Sequence, residues 1–448
     1  MLLLVFNTKA EAKEGLPNIL LFTIDACRPD HFSCYGYGRN TTPNIDKLAK
    51  EGALFTNAFS QSAWTTPGMI SIFTSLYPPT HDVDAKGKTL KDNVLTLPKV
   101  LKGNGYTVPV LPKFVDISNY WHLGFDVVDK EQFQGAEGED LLKLLEVYKD
   151  KRFFIWYHHH VLHLPYNPPN PYDEIFRKDI ANGTSTDSAA ISIVKRQSII
   201  KNGSVNFNDM DKKVAVALYD GQLRQLDDYI GQLMKKMEEW GILDNTLVFI
   251  TSDHGEELFE HGFLGHASTS LNAKLYDEII HIPLIIWWPK KLKHKKVDEL
   301  VQQIDIMPTT LDLLDLPTPT GMQGRSLLPL IQDASNDKTC SSIVNFEQST
   351  IFCETILGGF QSTKEQEQSK LRCVRTKELK LIYTNGLNGD KYELYDLRND
   401  PKEEKNVVEK NPEIVKELKE KLFRWIETTT SKECGSQSNA GINPLQQR

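Results

Sequence analysis

Acidic and histidine side chains follow two strongly apolar segments of the chain. Asp25 comes directly after the apolar run 18–24, and Asp253 and His254 come soon after the apolar run 246–251. Such runs are typical of buried parallel strands, whose C-terminal ends form the ligand-binding edge of an open α/β sheet. Carboxylate oxygens suit Ca²⁺ or Mg²⁺, and an added imidazole nitrogen favours Mn²⁺ or Zn²⁺. The pattern predicts a single divalent metal of one of these kinds, bound by Asp25, Asp253 and His254.

A threonine at the predicted start of a helix is the candidate nucleophile. Thr65 stands two residues before Pro67, which fixes the first helical turn, and the N–H groups of such a turn favour a bound anion. A sulfate or phosphate ester repels nucleophiles through its negative charge, so its cleavage needs a cation. A nearby metal also favours the alkoxide form of an alcohol. We therefore predict that Thr65 contacts the metal and attacks an anionic ester.

The segments that must position these residues alternate between strand-like and helix-like patterns. Strands are predicted at 18–24, 106–111, 152–157 and 283–287, and helices at 43–51, 67–76, 95–105, 214–240 and 303–314. This alternation predicts an α/β fold with a mixed, mainly parallel sheet between layers of helices. The segment 167–208 has Pro and Gly clusters but little periodicity, and long loops of this kind often shape access to a catalytic edge.

The composition changes in the last quarter of the chain. Short strands are predicted at 370–376, 379–384 and 392–396, followed by a charged helix at 412–428, which together indicate a small antiparallel sheet with a packed helix. The predicted organisation is an N-terminal tail or signal-peptide remnant (1–16), a catalytic α/β domain (17–335), a small α+β subdomain (336–430) and a polar tail without order (431–448).

Composition excludes some classes of function. The 448 residues carry a net charge of −8, so no global basic field attracts nucleic acid. No stretch reaches the ~20 apolar residues that span a bilayer.

The apolar start, Met1 to Phe6, precedes Ala10-Glu11-Ala12. This favours a truncated signal peptide and a periplasmic or secreted location, with a frayed tail and a cytoplasmic location as the alternative. The chain gives no signal for an oligomeric state.

The six cysteines lack the spacing of a zinc site. They are interpreted as buried or inert thiols. The alternative is a disulfide among Cys340, Cys353 and Cys373.

Several ordered segments resemble the sulfatase family of the alkaline phosphatase superfamily, over nearly the whole chain. They are residues 18–81, 95–107, 163–169, 251–266, 274–289, 305–330 and 392–406. The resemblance implies a large mixed α/β sandwich with a small C-terminal four-stranded sheet. It also implies a hydrolase of sulfuric or phosphoric esters, arylsulfatase-like or phosphodiesterase-like.

The resemblance also implies roles for particular residues. Asp25 and Asp253 match metal aspartates, but the position after Asp25 is Ala26 where the family has a second Asp. His254 stands where many sulfatases have Asn and where phosphonate and phosphodiester hydrolases have His. Contacts to the ester are implied at three further positions: Lys113, His163 and His266.

The largest departure from the family concerns the nucleophile. Sulfatases oxidise a Cys or Ser to formylglycine, whereas this chain has Thr65, and Met69 replaces the family's Arg. Direct attack by Thr resembles the phosphoryl-transferring relatives. Two alternatives therefore stay open: a phosphotransferase acting on a glycan or lipid head group, and a non-catalytic binding homologue. The predicted ligand in each case is an anionic ester of a small molecule, a glycan or a lipid head group.

The remaining histidine-rich segment is assigned an accessory role. Neighbouring residues on a strand point to opposite faces, so His158, His159 and His160 cannot all serve one metal. They are interpreted as structural or accessory, and His261 as a residue behind the ligands.

Overall fold

A computed structural model describes residues 15–111, 117–133, 138–181, 187–332, 350–386 and 389–430. Its centre is a six-stranded sheet. The strands of this sheet are β1 (Asn18–Ile24), β2 (Ala53–Phe59), β3 (Phe154–His159), β4 (Thr246–Ser252), β5 (His281–Trp287) and β6 (Lys295–Gln302). Two-residue strands pair beside it, Pro109–Val110 with Asp126–Val127 and Glu257–Leu258 with Leu264–Gly265.

The strand order across the large sheet is β6-β2-β5-β4-β1-β3. Strand β5 runs antiparallel to β2 and β4, and the other neighbouring pairs are parallel. Strands β1, β3 and β4 lie side by side and are buried along their whole length. Because they run parallel, their C-terminal ends share one edge, and side chains that follow these strands meet there.

Helices cover both faces of this sheet, and each face has its own apolar core. The helices of seven or more residues are α1 (Ile45–Glu51), α2 (Thr65–Thr74), α3 (Leu97–Gly103), α4 (Ile117–Leu123), α5 (Glu139–Tyr148), α6 (Asp209–Glu239), α7 (Ile306–Leu313) and α8 (Pro412–Thr430). The four- to six-residue helices are Pro78–His81, Tyr172–Ile175, Lys178–Ala181, Ala189–Val194, Ala267–Ser270, Asp277–Ile280 and Leu328–Ile331. This is the predicted α/β fold with a mostly parallel sheet. No helix among the described residues has both the length and the apolar character to cross a membrane.

A second, four-stranded antiparallel sheet follows in the chain. Its strands in spatial order are β7 (Ile351–Ile356), β8 (Lys370–Arg375), β9 (Leu379–Asn385) and β10 (Lys391–Asp396). The apolar face of α8 packs on it through Leu418, Leu422 and Trp425, as the sequence predicts. Cys353 and Cys373 lie opposite each other on β7 and β8 as free thiols, and Cys340 is outside the described residues.

Four strands differ from the sequence prediction. The strand predicted at 106–111 is reduced to Pro109–Val110, and that predicted at 152–157 is displaced to Phe154–His159. Strands β2 and β6 receive no prediction. Strand β6 lies at an edge and carries exposed charged side chains, so it lacks the apolar run of a buried strand.

Candidate active site

The two predicted metal segments meet at the C-terminal edge of the large sheet. Strands β1 and β4 are in register up to Ile24 opposite Ser252, so Asp25 and Asp253 emerge side by side. Beyond the strands, the backbone N–H of Cys27 donates to the carbonyl of His254 at 2.9 Å. His254 Nε2 lies 3.5 Å from Asp25 Oδ1 and 3.3 Å from Asp253 Oδ2. The sequence prediction that these three side chains converge agrees with this geometry.

The three side chains form a donor set that fits a divalent cation. All are buried: Asp25 is 2% exposed and Asp253 and His254 are 0% exposed. Within the described residues, Asp25 Oδ1 and Asp253 Oδ2 receive no hydrogen bond. Burying carboxylate oxygens without partners is costly unless a cation coordinates them. Two oxygens and one imidazole nitrogen match the ligand preferences of Mn²⁺ and Zn²⁺.

Thr65 begins helix α2 next to this set. Its Oγ1 lies 3.4 Å from His254 Nε2. The close approach of α2 depends on Gly68, because a Cβ at that position would lie 2.8 Å from the carbonyl oxygen of Asp253. The same carbonyl accepts hydrogen bonds from Ser60 Oγ at 2.5 Å and from Gln303 Nε2 at 2.7 Å. Ser60, Gly68 and Gln303 therefore fix the helix start against the metal segment. These supporting contacts could not be predicted, because no local sequence pattern indicates them.

Two predicted ester-binding histidines stand across the site from these ligands. The rings of His163 and His266 are 5.1 Å apart, and His266 also lies 4.3 Å from the ring of His254. Burial disfavours a charged His163, but nearby acidic groups, Asp25 first among them, outweigh it and raise the pKa of His163. Burial, with the nearby charges of His254 and His163, lowers the pKa of His266 well below its usual value. The site thus pairs a readily charged imidazole with a neutral one.

Glu256 sets the orientation of His266. Its Oε1 lies 2.9 Å from His266 Nδ1, and its Oε2 accepts a hydrogen bond from Tyr166 Oη at 3.1 Å. Burial raises the pKa of Glu256 to about 8. A protonated Glu256 donates to Nδ1, which keeps the imidazole proton of His266 on Nε2 as a donor. Glu256 follows the Asp253-His254-Gly255 segment directly, and that position is the only signal that the sequence offers for it.

The three consecutive histidines divide between the two faces of strand β3. His159 turns away and packs on the rings of Phe22 and Tyr229. His158 Nε2 lies 3.8 Å from Asp25 Oδ2, and His160 Nε2 lies 3.5 Å from the same oxygen. The expected alternation is observed. However, it brings two of the histidines into the site, where the sequence analysis assigned the cluster only an accessory role.

Four further residues can be compared with the sequence predictions. Lys113 lies outside the described residues. Ala26 has a φ of 56°, a left-handed conformation that Asp and Asn tolerate better than Ala. Met69 is fully buried in the apolar core, so its side chain offers nothing polar to the site. His261 stacks on Tyr276 and contacts Glu278, behind the metal segment.

A pocket of about 230 Å³ opens onto Thr65. Its lining includes Asp25, three of the histidines (His160, His163 and His266), and Ile199 and Phe360, whose exposure places them at the pocket mouth. Both mouth residues are unusually exposed for large apolar side chains, at 39% and 40%. Ile199 belongs to the segment 167–208, and Phe360 follows the first strand of the small sheet. Both chain segments therefore shape the access to the candidate nucleophile.

Comparison with known proteins is consistent with this geometry. The pattern of the family described as "Sulfatase" matches residues 17–316. The chain belongs to the sulfatase family. It is accordingly an ester hydrolase of this family, as the family pattern and the homologues indicate. A second pattern, "N-sulphoglucosamine sulphohydrolase, C-terminal", matches residues 272–428 of this sulfatase-family chain.

Relatives cover almost the whole chain. An N-acetylglucosamine-6-O-sulfatase of Bacteroides thetaiotaomicron is 24% identical over 94% of this chain and 87% of its own length. An N-acetylgalactosamine-6-O-sulfatase of the same bacterium is 25% identical over 93% of this chain and 95% of its own length. The crystal structure of a phosphonate monoester hydrolase of Agrobacterium radiobacter has a TM-score of 0.69 at 21% identity, covering 92% of this chain and 96% of that one. At this identity the structural match shows the shared fold alone.

Proposed function

We propose that this sulfatase-family protein hydrolyses a sulfate- or phosphate-type ester with Thr65 as the nucleophile. A divalent cation held by Asp25, Asp253 and His254 would assist it. The observation that carries the proposal is the position of Thr65 Oγ1, 3.4 Å from His254 Nε2 in the candidate metal set. When bound, the cation would neutralise charge on the ester and favour ionisation of a neighbouring alcohol.

The residues around Thr65 suit a displacement at the central atom of the ester. Thr65 Oγ1 forms a bond to phosphorus or sulfur while the bond to the leaving oxygen breaks, and the leaving oxygen takes a proton. Water then cleaves the threonyl ester, which releases the inorganic anion and restores the Thr65 hydroxyl. This route suits phosphorus well, because phosphoryl transfer depends mainly on positioning and charge stabilisation.

The helix start and the two histidines support the binding of the anion. The first intrahelical bond of α2 runs from Gly68 N to Trp64 O, so the N–H groups of Thr65 and Thr66 precede it and are available to an anion. His163 is the more easily protonated of the two imidazoles, because the neighbouring Asp25 carboxylate raises its pKa. His266 adds a neutral donor. Lys113 stays a sequence-based proposal for a further contact to the anion.

The pocket and the relatives bear on the substrate class. A volume of about 230 Å³ is below the ~300–1,000 Å³ that holds drug-sized ligands, so the buried part of the substrate is small. Phe360 at the mouth has Lys86 Nζ 4.5 Å from its ring centre, leaving an apolar edge for the alcohol portion of the ester. Relatives named for 6-O-sulfated amino sugars support a sugar ester as the substrate.

The test is a panel of chromogenic esters with the purified full-length protein. Aryl sulfate, phosphate monoester, phosphate diester and phosphonate would each be assayed with Mn²⁺, Zn²⁺, Ca²⁺ and Mg²⁺. Loss of a nucleophilic side chain typically lowers kcat by ~10⁴–10⁶. We expect the kcat of Thr65→Ala on the preferred ester to be lower than that of the wild type by a factor of at least ~10³.

The matched control keeps the hydroxyl group. Thr65→Ser should retain measurable turnover, and a labelled intermediate trapped by acid quench should carry the label on residue 65. Unchanged turnover in Thr65→Ala would contradict the proposed nucleophile. Turnover of none of the four esters with any of the metals would count against the hydrolase proposal itself.

A further inference from the structure

Two groups of metal-binding side chains share the carboxylate of Asp25. The first is the predicted set of Asp25, Asp253 and His254, and the second consists of Asp25, His158 and His160. In each group, one ligand atom per residue lies within 4.8 Å of the other two. The groups use different oxygens of Asp25. Oδ1 lies 3.5 Å from His254 Nε2, and Oδ2 lies 3.5 Å from His160 Nε2.

The sheet itself builds the second group. Strand β3 lies next to β1 with His159 opposite Ile24, and the backbone N–H of Asp25 donates to the carbonyl of His159 at 2.9 Å. The two residues that flank His159 therefore both face the Asp25 side chain, because side chains alternate along a strand. Regular backbone pairing thus sets the arrangement, and Asp25 and His160 are the first residues beyond the paired strands.

Hydrogen bonding behind His158 is compatible with metal ligation. Trp156 Nε1 donates to Thr23 Oγ1 at 2.9 Å, and Thr23 Oγ1 lies 2.8 Å from His158 Nδ1. The hydroxyl oxygen has two lone pairs, so it can accept from both rings and turn its own proton toward the carbonyl of Tyr157, 3.4 Å away. His158 then carries its proton on Nδ1 and turns the lone pair of Nε2 toward the two carboxylates, 3.8 Å from Asp25 Oδ2 and 3.7 Å from Asp253 Oδ2. Metal-bound histidines are usually oriented by such a partner on the other ring nitrogen.

These histidines could serve either as positive counter-charges or as metal ligands, and the charge balance of the site favours the second role. One divalent cation already balances the charges of Asp25 and Asp253. The two imidazoles beside Asp25 Oδ2 are therefore not needed as counter-charges, but their nitrogen lone pairs can coordinate a second ion. A carboxylate and two imidazoles suit a first-row transition cation such as Mn²⁺, Fe²⁺ or Zn²⁺.

We infer that this chain binds a second divalent transition-metal ion at His158, His160 and Asp25 Oδ2, with Asp25 bridging the two ions. The inference rests on the proposed function for its first ion. In other enzymes, two ions about 3.5–4 Å apart stabilise the attacking and the leaving oxygens of a displacement. A second ion here would add charge stabilisation on the side of the pocket that His160 lines.

The experiment counts metal ions in the full-length protein. Metal-free protein would be loaded with Mn²⁺, freed of excess ion by desalting, and measured by elemental analysis and electron paramagnetic resonance. We expect two Mn²⁺ per chain and the spectrum of a spin-coupled pair. His160→Ala should bind one Mn²⁺ and show the spectrum of an isolated ion. Asp253→Asn should also lose one ion, and Asp25→Ala should lose both.

Two variants guard against indirect effects. His122→Ala removes a histidine that contacts Asp92 away from the site, and it should retain both ions. Thr23→Val keeps the shape of the side chain but removes the partner of His158 Nδ1. Its second ion should bind ~10–100-fold more weakly, as is typical when such a partner is lost. Circular dichroism would verify folding of each variant.

The outcomes separate this inference from the proposed function. One ion per chain in the wild type, retained in His160→Ala, would overturn the second site, and turnover that depends on Thr65 would still support the hydrolase. One ion that disappears in His160→Ala would also overturn it and would place His160 on the first ion. Two ions with no turnover of any ester would support the second site and contradict the proposed function.

Discussion

Replacing Glu257 by Gln is expected to stabilise the protein near neutral pH. Glu257 is 0% exposed, and its Oε1 accepts the backbone N–H of His261. Burial, with the charges of Glu260 and Glu278, raises its pKa from 4.5 to about 8. The folded protein therefore keeps a proton that the unfolded chain releases above pH 4.5. Stability falls as the pH rises through this window.

The size of the effect follows from the gap between the two pKa values. Each pH unit within the window costs 1.36 kcal/mol, so the cost at pH 7 is about 3 kcal/mol and at pH 5 it is below about 1 kcal/mol. The entropy of unfolding is ~2.1 cal/mol/K per residue, so for a chain of this length a stability change of about 3 kcal/mol shifts the thermal unfolding midpoint by about 3 °C. Glu257→Gln removes the titrating group and keeps the acceptor oxygen for His261.

The assay is the thermal unfolding midpoint of both proteins between pH 5 and pH 8. The two midpoints should nearly coincide at pH 5 and separate by about 3 °C at pH 7, with Glu257→Gln the higher. Glu260→Gln is the matched control of opposite sign. Glu260 pairs with Arg28 at 2.7 Å, so this variant should be less stable at neutral pH. A Glu257→Gln protein that is less stable than wild type at every pH would refute the reasoning, because it would show that the folded state keeps Glu257 ionised.

Three other predictions concern metal, domain contacts and substrate. Mn²⁺ at 100 times its Kd should raise the unfolding midpoint of the wild type by about 3 °C for each bound ion, from about 2.7 kcal/mol of binding per ion, and Asp25→Asn should show no rise. Lys370→Met should cost about 3 kcal/mol in urea unfolding, because Lys370 Nζ bridges Asp84 at 2.7 Å and Glu354 at 2.6 Å between the small sheet and the larger part. Phe360→Ala should raise KM for an aryl ester about fivefold with kcat nearly unchanged in steady-state assays, since it removes about 1 kcal/mol of ring contact outside the reacting atoms.

Much of the fold follows from local sequence patterns. Strand β1 has the predicted bounds, and strands β4 and β5 lie where the apolar runs predict them. Strand β3 begins later and extends through His159, because histidines interrupt the apolar run from which the strand was predicted. The antiparallel direction of β5 was not predictable, since it depends on how the chain crosses the sheet and not on any local pattern.

In the candidate site, too, residues that follow a local sequence pattern were predictable, and contacts between distant segments were not. Asp25, Asp253 and His254 could be located because each follows a buried strand, and the edge of a parallel sheet brings such positions together. The supporting contacts of Gly68 and Gln303 join segments far apart in sequence, and only the folded chain shows that both meet the carbonyl of Asp253. The roles of Lys113, His163 and His266 in binding the ester stay predictions from the resemblance.

Ala26 and two histidines of the neighbouring strand lie close together at the candidate metal site. Ala26 follows Asp25 where the resemblance implies a second Asp, so one carboxylate is missing on the loop after β1. His158 and His160 approach the Asp25 carboxylate from the end of strand β3, and each offers an imidazole nitrogen beside it. Nitrogen donors favour transition metals over Ca²⁺. We therefore expect metal-dependent turnover to be higher with Mn²⁺ or Zn²⁺ than with Ca²⁺, and turnover that prefers Ca²⁺ would contradict a role for these imidazoles as ligands.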